Sequence, residues 1–276
     1  MRELYSLIEV LLKSKNIHGL MVLGEAGIGK SYSVLNYLED NDVTPSVLTT
    51  YSTPLSLYMF LYKHKDDALI VMDDVDNIWE NDHSAATLKS AMWSVDEDRK
   101  IEWNSTSKLL EKEGIPDTFY FNSKIIFICN KTRDNPNVDA VLSRVLHFKI
   151  TYTREEKISQ MRDICKSIKK FNLTLKEKGE VVDLISEFAS LFDFRTLMQG
   201  LEIRELSKES ESIDWRKTFL SILESDVNNE LKFVYNKSKE SVLPVEEQVA
   251  EFKKMFGKSR RTFFYLKKKL VDSGCL

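Results

Sequence analysis

The sequence is poor in cysteine, lacks long apolar stretches and carries no excess of positive charge. Its 276 residues include three cysteines, Cys129, Cys165 and Cys275, which do not have the spacing of metal ligands. A sparse and odd number of cysteines is typical of free thiols in a reducing compartment. No uninterrupted apolar stretch approaches the roughly 20 residues that span a bilayer. These features predict a cytoplasmic protein without a membrane partner.

Net charge and histidine spacing argue against two further classes of protein. A formal net charge of -3 does not suit a protein that coats nucleic acid with its whole surface, because that mode of binding needs a global basic excess. Any contact with nucleic acid must therefore be local. The four histidines are scattered without ligand spacing, so we assign no metal site to them. With 42% hydrophobic residues, the chain can bury a core.

Short apolar segments alternate with helical patterns through the first half of the chain. Residues 1–15 predict an amphipathic helix and not a signal sequence, because charged side chains interrupt the apolar ones. Apolar runs typical of buried strands follow at 18–23, 46–51, 68–72 and 124–129, and residues 99–103 predict a small extra strand. Strands that alternate with helices predict an α/β fold, with a parallel sheet sandwiched by helices.

Beyond residue 152 the strand pattern ends. Amphipathic segments at 153–170, 174–193 and 193–206 predict helices, and the polar residues 208–212 predict a linker. We therefore expect three domains: an α/β domain over residues 1–152, an all-helical domain over 153–212, and a small basic helical module over 213–276.

A complete phosphate-binding motif follows the first predicted strand. Residues 24–31 match G-x-x-x-x-G-K-[ST] at every fixed position and lie between a predicted strand and a predicted helix. The glycines let the backbone wrap a phosphate with its N–H groups facing inward, and the helix dipole adds to the attraction. Lys30 supplies a positive charge for the β and γ phosphates of ATP, and the Ser31 hydroxyl is a ligand for Mg2+. The predicted nucleotide-binding residues are Gly24, Glu25, Ala26, Gly27, Ile28, Gly29, Lys30, Ser31 and Tyr32.

Two carboxylates, Asp73 and Asp74, directly follow the apolar run at 68–72. Ligands of open parallel sheets bind at the carboxyl edge, where such a strand delivers its last residues. We expect Asp73 to hold Mg2+, directly or through a water, and Asp74 to orient the water that attacks the γ phosphate. A solvated acidic turn is the weaker interpretation, because the strand lies ~40 residues downstream of a complete phosphate loop.

With these two motifs, the segment from about Met1 to about Leu206 resembles the AAA+ family of ATPases. Asn130, which follows the run at 124–129, is similar to the sensor-1 asparagine, whose amide contacts the γ phosphate or the attacking water; an asparagine there is also a common turn former. Arg144 is similar to the arginine finger that reaches the nucleotide of a neighbouring subunit, and Arg133 is the competing candidate. Arg195 is similar to the sensor-2 arginine of the helical lid, which corresponds to 153–212. The alternative is that Arg144 and Arg195 are ordinary surface arginines.

The resemblance also implies an oligomer. If Arg144 acts on a neighbouring subunit, ATP lies between subunits and the active form is a ring or an arc of identical chains, because one subunit alone lacks the charge that stabilises the transition state. Many AAA+ members have glutamate where this chain has Asp74. The shorter aspartate still orients water, so the resemblance implies slow hydrolysis.

The C-terminal segment resembles a helix-turn-helix, with one helix ending at Phe256 and Gly257, a turn at Ser259, and a second helix. Between Phe252 and Leu270 the chain has eight lysines or arginines and no acidic residue. A local basic surface on such a helix is typical of DNA binding, while a terminal helix with solubilising lysines is the alternative. The candidate DNA contacts are Lys258, Ser259, Arg260, Arg261 and Lys267.

Three functions fit these patterns. The preferred one is an AAA+ ATPase that remodels or loads a DNA-associated assembly in replication, recombination or packaging, in a small protein of the kind encoded by viruses or mobile elements. The second is a chaperone-like AAA+ ATPase whose basic tail recognises an acidic protein partner. Such enzymes use an aromatic pore loop, but the spacing of Tyr58, Met59, Phe60 and Tyr62 favours a packed helix. The third is a slowly hydrolysing nucleotide switch, which Asp74 favours.

Overall fold

A computed structural model of the chain describes residues 1–49, 51–93, 98–104, 109–130, 136–189, 192–210, 212–223, 226–240 and 243–272. Contacts divide the chain into two units, Met1–Ile150 and Thr151–Leu276. The division falls two residues before the expected end of the α/β domain at residue 152.

The first unit is built on a parallel sheet. Its strands in the described residues are β1 (Gly19–Gly24), β2 (Ser46–Leu48), β3 (Leu69–Asp73), β4 (Lys100–Glu102), β5 (Thr118–Tyr120), β6 (Lys124–Cys129) and β7 (Leu146–Ile150). Five of them pair in parallel in the order β2-β3-β6-β1-β7. The central strands β1, β3 and β6 consist mainly of buried apolar residues, because helices cover such a sheet on its faces. The predicted α/β class is confirmed.

The helices of this unit bury apolar side chains, and those between residues 54 and 142 pack in one cluster with the sheet. The helices are α1 (Arg2–Lys13), α2 (Lys30–Asp40), α3 (Pro54–Lys63), a 3-10 helix (Asp76–Glu80), α4 (Asp82–Met92), α5 (Leu109–Lys112) and α6 (Pro136–Leu142). In α3, Leu57, Tyr58 and Leu61 have no exposed surface. The Tyr58 hydroxyl donates to the Pro116 carbonyl over 2.8 Å. The prediction that this aromatic segment is a packed helix is therefore confirmed.

Between α4 and β6 lies an antiparallel hairpin, in which Lys100 pairs with Tyr120. The extra strand predicted at 99–103 is β4, whereas its partner β5 escaped prediction. Arg99 attaches the hairpin to the sheet. Arg99 is 5% exposed, and its guanidinium donates to the carbonyls of Ala91 and Ser123, both at 2.8 Å. Burial lowers the pKa of Arg99 to about 10, so the side chain stays charged at neutral pH.

His18, directly before β1, makes stability depend on pH. Burial and the positive charges of Arg99 and Lys124 lower the pKa of His18 from 6.5 to about 4. The unfolded chain therefore binds a proton that the folded chain excludes, and stability is lost as the pH falls from 6.5 towards 4. We expect His18→Asn to reduce this loss in thermal melts, with His147→Asn, at an exposed position of β7, as the control. An unchanged pH dependence in His18→Asn would contradict the assignment.

The second unit consists of helices in the described residues, in two apolar clusters. The first cluster joins α7 (Arg154–Ser167), α8 (Leu175–Phe188), α9 (Phe194–Glu209) and α10 (Trp215–Leu223). Capping boxes start α7, α8 and α9, with Thr153, Thr174 and Asp193 as the N-caps. The three helices predicted over 153–206 correspond to α7, α8 and α9. Two guanidinium groups, those of Arg204 and Arg216, each lie 5.0 Å from the ring of Trp215.

The second cluster joins α11 (Asp226–Glu240), α12 (Val245–Phe256) and α13 (Arg260–Asp272). Its buried residues include Phe252, Phe263 and Leu270, all 0% exposed. The predicted helix, turn and helix correspond to α12, Gly257 and α13. Because Trp215, Phe219 and Leu223 pack with the first cluster, α10 belongs with the preceding helices. We therefore propose that the boundary expected at residue 212 lies after Leu223.

Two absences concern the described part of the chain. None of its helices is both long enough and apolar enough to cross a membrane. Within the same residues, no cluster of three or more histidine, cysteine, aspartate or glutamate side chains could hold a metal ion by itself.

Candidate nucleotide-binding site

The predicted phosphate loop connects β1, which ends at Gly24, to α2, which begins at Lys30. Gly27 and Gly29 have φ angles of 75° and 82°, in the left-handed region that glycine adopts without strain. A Cβ atom at Gly24 would lie 2.6 Å from Ile28 Cδ1 and 2.9 Å from the Ile150 carbonyl oxygen, so the loop is also tightly packed there. The loop therefore leads into the N-terminus of α2, where the helix dipole favours an anion at this edge of the sheet.

Lys30 is 5% exposed although it carries a charge. Its ammonium group donates to the carbonyls of Gly24 at 3.0 Å and Glu25 at 2.7 Å. It also donates to Asn130 Oδ1 at 2.8 Å. Burial of a lysine is costly unless its donors are bonded, and these acceptors satisfy them. The Lys30 charge is thereby held between the phosphate loop and the end of β6.

Asp74 lies directly after β3 and has a φ angle of 55°, in the left-handed region that aspartate and asparagine tolerate better than most residues. Its backbone N–H donates to the Ile128 carbonyl at 3.3 Å. Asn130 Nδ2 donates to Asp74 Oδ1 at 2.6 Å. Because β6 lies between β1 and β3, Asn130 bridges the two motifs. Lys30, Asn130 and Asp74 thus form one hydrogen-bonded chain, which we call the bridge.

The remaining predicted residues surround this bridge at different depths. Ile28 is 3% exposed and packs beneath the loop, whereas Tyr32 is 73% exposed on α2. Ser31 is the second residue of α2, and Asp73 is the last residue of β3, in register with Ile128 of β6. The loop, both aspartates and Asn130 therefore meet at the carboxyl edge of the sheet, where ligands of such sheets bind.

Solved structures with a similar fold include a Holliday junction branch migration motor and a replication initiation protein. The chain is similar to the RuvB Holliday junction branch migration motor of Thermotoga maritima, with a TM-score of 0.55 and 10% identity, over 96% of this chain and 85% of that chain. It is also similar to domain III of the Thermotoga maritima replication initiation protein DnaA, with a TM-score of 0.52 and 16% identity, over 81% of this chain and 92% of that chain.

The chain has the fold of the AAA+ ATPases. A third similar structure is the replication initiator DnaA bound to AMPPCP and single-stranded DNA, with a TM-score of 0.50 and 12% identity, over 98% of this chain and 88% of that chain. In sequence, the chain is 27% identical over 169 residues to an uncharacterized 36.7 kDa protein of Enterobacteria phage T4. The match covers 54% of this chain and half the length of the phage protein. No protein-family model matches the sequence.

Two of the three arginines that the AAA+ resemblance singled out lie in the described residues, in different settings. Arg144 is half-buried after α6, and it donates to the Ala140 carbonyl and, at 3.2 Å, to the Ser143 hydroxyl. Arg195 is exposed in the first turn of α9. Arg133, the competing finger candidate, lies outside the described residues. The roles of Arg144 and Arg195 stay predictions.

Of the five candidate DNA contacts, two carry ion pairs within the second unit. Lys258 lies 3.9 Å from Glu230, and Arg260 contacts Glu246. The Ser259 hydroxyl accepts from the Thr262 N–H at 3.3 Å and so caps the start of α13. Arg261 is exposed and Lys267 is half-buried. The Arg260–Glu246 pair is exposed on both sides, and such pairs contribute only about 0–1 kcal/mol, so a phosphate can displace it.

Two features of the sites could not be found by motif matching. The bond from Lys30 to Asn130 joins residues 100 positions apart and follows from the strand order alone. The helical spacing of residues 263, 266 and 270 indicates a buried side of α13 and does not identify the exposed rings of Phe264 and Tyr265. The run of adjacent aromatic residues at 263–265 was the available signal, since three successive positions cannot all face the core of a helix.

Proposed function

We propose that the chain is an ATP hydrolase that couples ATP binding and hydrolysis at subunit interfaces to the remodelling or loading of a DNA-associated assembly. The observation that carries the proposal is the bridge, which joins the phosphate-loop lysine to a carboxylate at the end of a neighbouring strand. The ammonium of Lys30, the amide of Asn130 and the carboxylate of Asp74 meet beside a loop that suits a phosphate.

In this proposal the bridge residues have separate roles. Lys30 and the N–H groups of the loop bind the β and γ phosphates. Asp74 orients the attacking water and accepts its proton, and Asn130 holds Asp74 in place while its amide contacts the γ phosphate or the water. Tyr32, on the exposed side of α2, and Arg195 complete the expected contacts to the nucleotide.

The oxygen donors of Ser31 and Asp73 suit Mg2+, which prefers one or two protein oxygen ligands together with phosphates. Their positions at the start of α2 and the end of β3 place both at the edge where the loop lies. Ser31 and Asp73 would hold the ion, which would supply positive charge to the phosphate oxygens of ATP.

Arg144 supports an assembly of identical chains, as a ring or an arc. Its bonds to Ala140 and Ser143 are local and satisfy only part of a guanidinium with five N–H donors. As a finger, it would stabilise the transition state on a neighbouring subunit, which makes hydrolysis depend on assembly.

The DNA-directed part of the proposal is supported by the basic module and by the similar structures. RuvB is described as a branch migration motor for Holliday junctions, and one DnaA structure holds single-stranded DNA. The sparse, odd number of cysteines supports a reducing, cytoplasmic setting, and both Cys129 and Cys165 are buried. A slowly hydrolysing nucleotide switch is the second candidate, because Asp74 reaches less far than a glutamate.

The test is the steady-state ATPase rate against protein concentration, with and without single- and double-stranded DNA. We expect a rate per subunit that rises with concentration and with DNA, and a Lys30→Ala variant at background. Mixing Asp74→Asn with Arg144→Ala then tests the finger: each variant alone is inactive, and the mixture recovers activity because Arg144 of one chain serves the intact site of the other.

Arg162→Ala is the matched control for Arg144, because it removes an exposed arginine whose partner is Asp183. We expect this control to be as active as wild type. If wild type hydrolyses ATP no faster than Lys30→Ala under all conditions, the enzyme proposal is wrong and a nucleotide-gated adaptor takes its place. If Asp74→Asn recovers ATPase activity when mixed with Arg133→Ala and not when mixed with Arg144→Ala, Arg133 is the arginine finger.

A further inference from the structure

The outward side of α13 carries both aromatic rings and cations. Phe263, Leu266 and Leu270 are 0–5% exposed and face the α11 and α12 cluster. At 100° per residue, the opposite side of the helix is formed by residues 261, 264, 265 and 268, and by residue 272 at the C-terminal end. We call Arg261, Phe264, Tyr265 and Lys268 the α13 stripe; Asp272, one turn beyond Lys268, ends it.

The rings of the α13 stripe are not part of the core. Tyr265 is 65% exposed and Phe264 is 39% exposed, although both are large enough to dominate a packed cluster. The Arg260 guanidinium lies 5.2 Å from the Phe264 ring, which places another cation at the border of the stripe. From Arg261 to Lys268 the stripe extends about 10 Å along the helix, enough for two or three stacked bases.

The positive charge around the stripe favours a negatively charged partner. Residues 252–270 contain eight lysines or arginines and no acid, in a chain of net charge -3. A polyanion with flat aromatic groups complements this surface better than an apolar protein face, because every nucleotide offers a phosphate and a base. The bases of a duplex expose only their edges, whereas unpaired bases also offer the ring faces that phenyl and phenol groups stack on.

We infer that the α13 stripe binds single-stranded DNA, with unpaired bases stacked on Tyr265 and Phe264 and with Arg261 and Lys268 on the phosphates. This inference deepens the DNA-directed part of the proposed function and rests on it. It differs from the helix-turn-helix expectation, in which the start of α13 reads a duplex groove. The stripe instead uses the middle of the helix and is tolerant of sequence, because every base has a stackable face.

The test is fluorescence anisotropy of the full-length protein with labelled oligo-dT and with a duplex of equal length, over a range of salt concentrations. We expect tighter binding of the single strand. Tyr265→Ala and Tyr265→Leu weaken it by at least about fivefold, because stacking contributes about 1–3 kcal/mol per base. Tyr265→Phe binds like wild type, because the ring remains.

Two further variants separate stacking from general effects. Tyr120→Ala removes a ring that is 54% exposed on β5 of the first unit, and it leaves binding unchanged. Lys268→Ala lowers the dependence of log K on log salt by about 0.7, the contribution of one phosphate on a single strand. Lys269 lies on the neighbouring side of the helix, so Lys269→Ala changes the salt dependence of log K less.

Tyr265→Ala with wild-type affinity for oligo-dT, or wild type that prefers the duplex, would overturn the inference. Either result leaves the enzyme proposal intact if the same preparations hydrolyse ATP in a Lys30-dependent way. Conversely, an unchanged ATPase rate in Lys30→Ala refutes the enzyme proposal. The anisotropy of the same variant still reports on the stripe, since Lys30 lies in the other unit.

Discussion

Replacing Asp74 with asparagine is expected to lower the rate of ATP hydrolysis by about 100- to 10,000-fold, the range that general acid–base catalysis contributes, while ATP still binds. Asparagine keeps the size of the side chain and an oxygen that can accept the 2.6 Å bond from Asn130. It also tolerates the left-handed backbone at φ 55°, so the loop after β3 retains its conformation. Only the ability to accept a proton and to polarise water is lost. Single-turnover hydrolysis and fluorescent-nucleotide binding measure the two effects separately.

Asp67→Asn is a closely matched control. Asp67 also has a left-handed backbone, with φ 51°, but it is exposed and lies before β3, at the opposite end of the strand. We expect its hydrolysis rate and melting temperature to equal those of wild type. A near-normal hydrolysis rate in Asp74→Asn would exclude Asp74 as the base. If the wild-type rate is itself slow, the same result would favour the nucleotide-switch alternative.

Gly200→Ala is expected to destabilise the second unit by about 2 kcal/mol, in the middle of the usual cost of overpacking. Gly200 lies in α9, and a Cβ atom there would lie 2.5 Å from Val181 Cγ1 and 2.6 Å from Phe219 Cζ. Both neighbours are 0% exposed, so neither can move aside without disturbing α8 or α10. The clash outweighs the gain of about 1 kcal/mol that alanine brings to a helix interior.

Gly179→Ala makes the same chemical change in α8, where nothing lies within 4 Å of the added Cβ. We expect this variant to be about 0.5–1 kcal/mol more stable than wild type, from helix propensity alone. Urea unfolding followed by circular dichroism compares the two. If both substitutions shifted the midpoint in the same direction, the close packing of α8, α9 and α10 at Gly200 would be wrong.

The sequence predicted what depends on local pattern. The central strands were recognisable because a buried parallel strand is apolar without alternation, as in residues 68–72. The edge strand β7 was missed, since His147 and Lys149 face solvent and break up the apolar run. Helix α11 was missed as well, because its segment is dominated by polar residues and buries few large side chains.

The candidate site was predictable in its parts and not in its connections. The phosphate loop and Asp73 with Asp74 were recognised from fixed spacing next to a strand. The resemblance added Asn130, but the bridge exists only because β6 lies between β1 and β3. Arg99 was overlooked for a similar reason: its partners, Ala91 and Ser123, are carbonyls that any residue provides, so no sequence pattern marks them.

Trp215 gives the chain an intrinsic optical reporter. Of the four tryptophans, Trp79, Trp93 and Trp103 belong to the first unit, and Trp215 alone belongs to the second. Two guanidinium groups at 5.0 Å make its emission sensitive to small movements of α9 and α10. With the other three tryptophans replaced by phenylalanine, steady-state fluorescence would follow the helical unit through a nucleotide cycle without any attached dye.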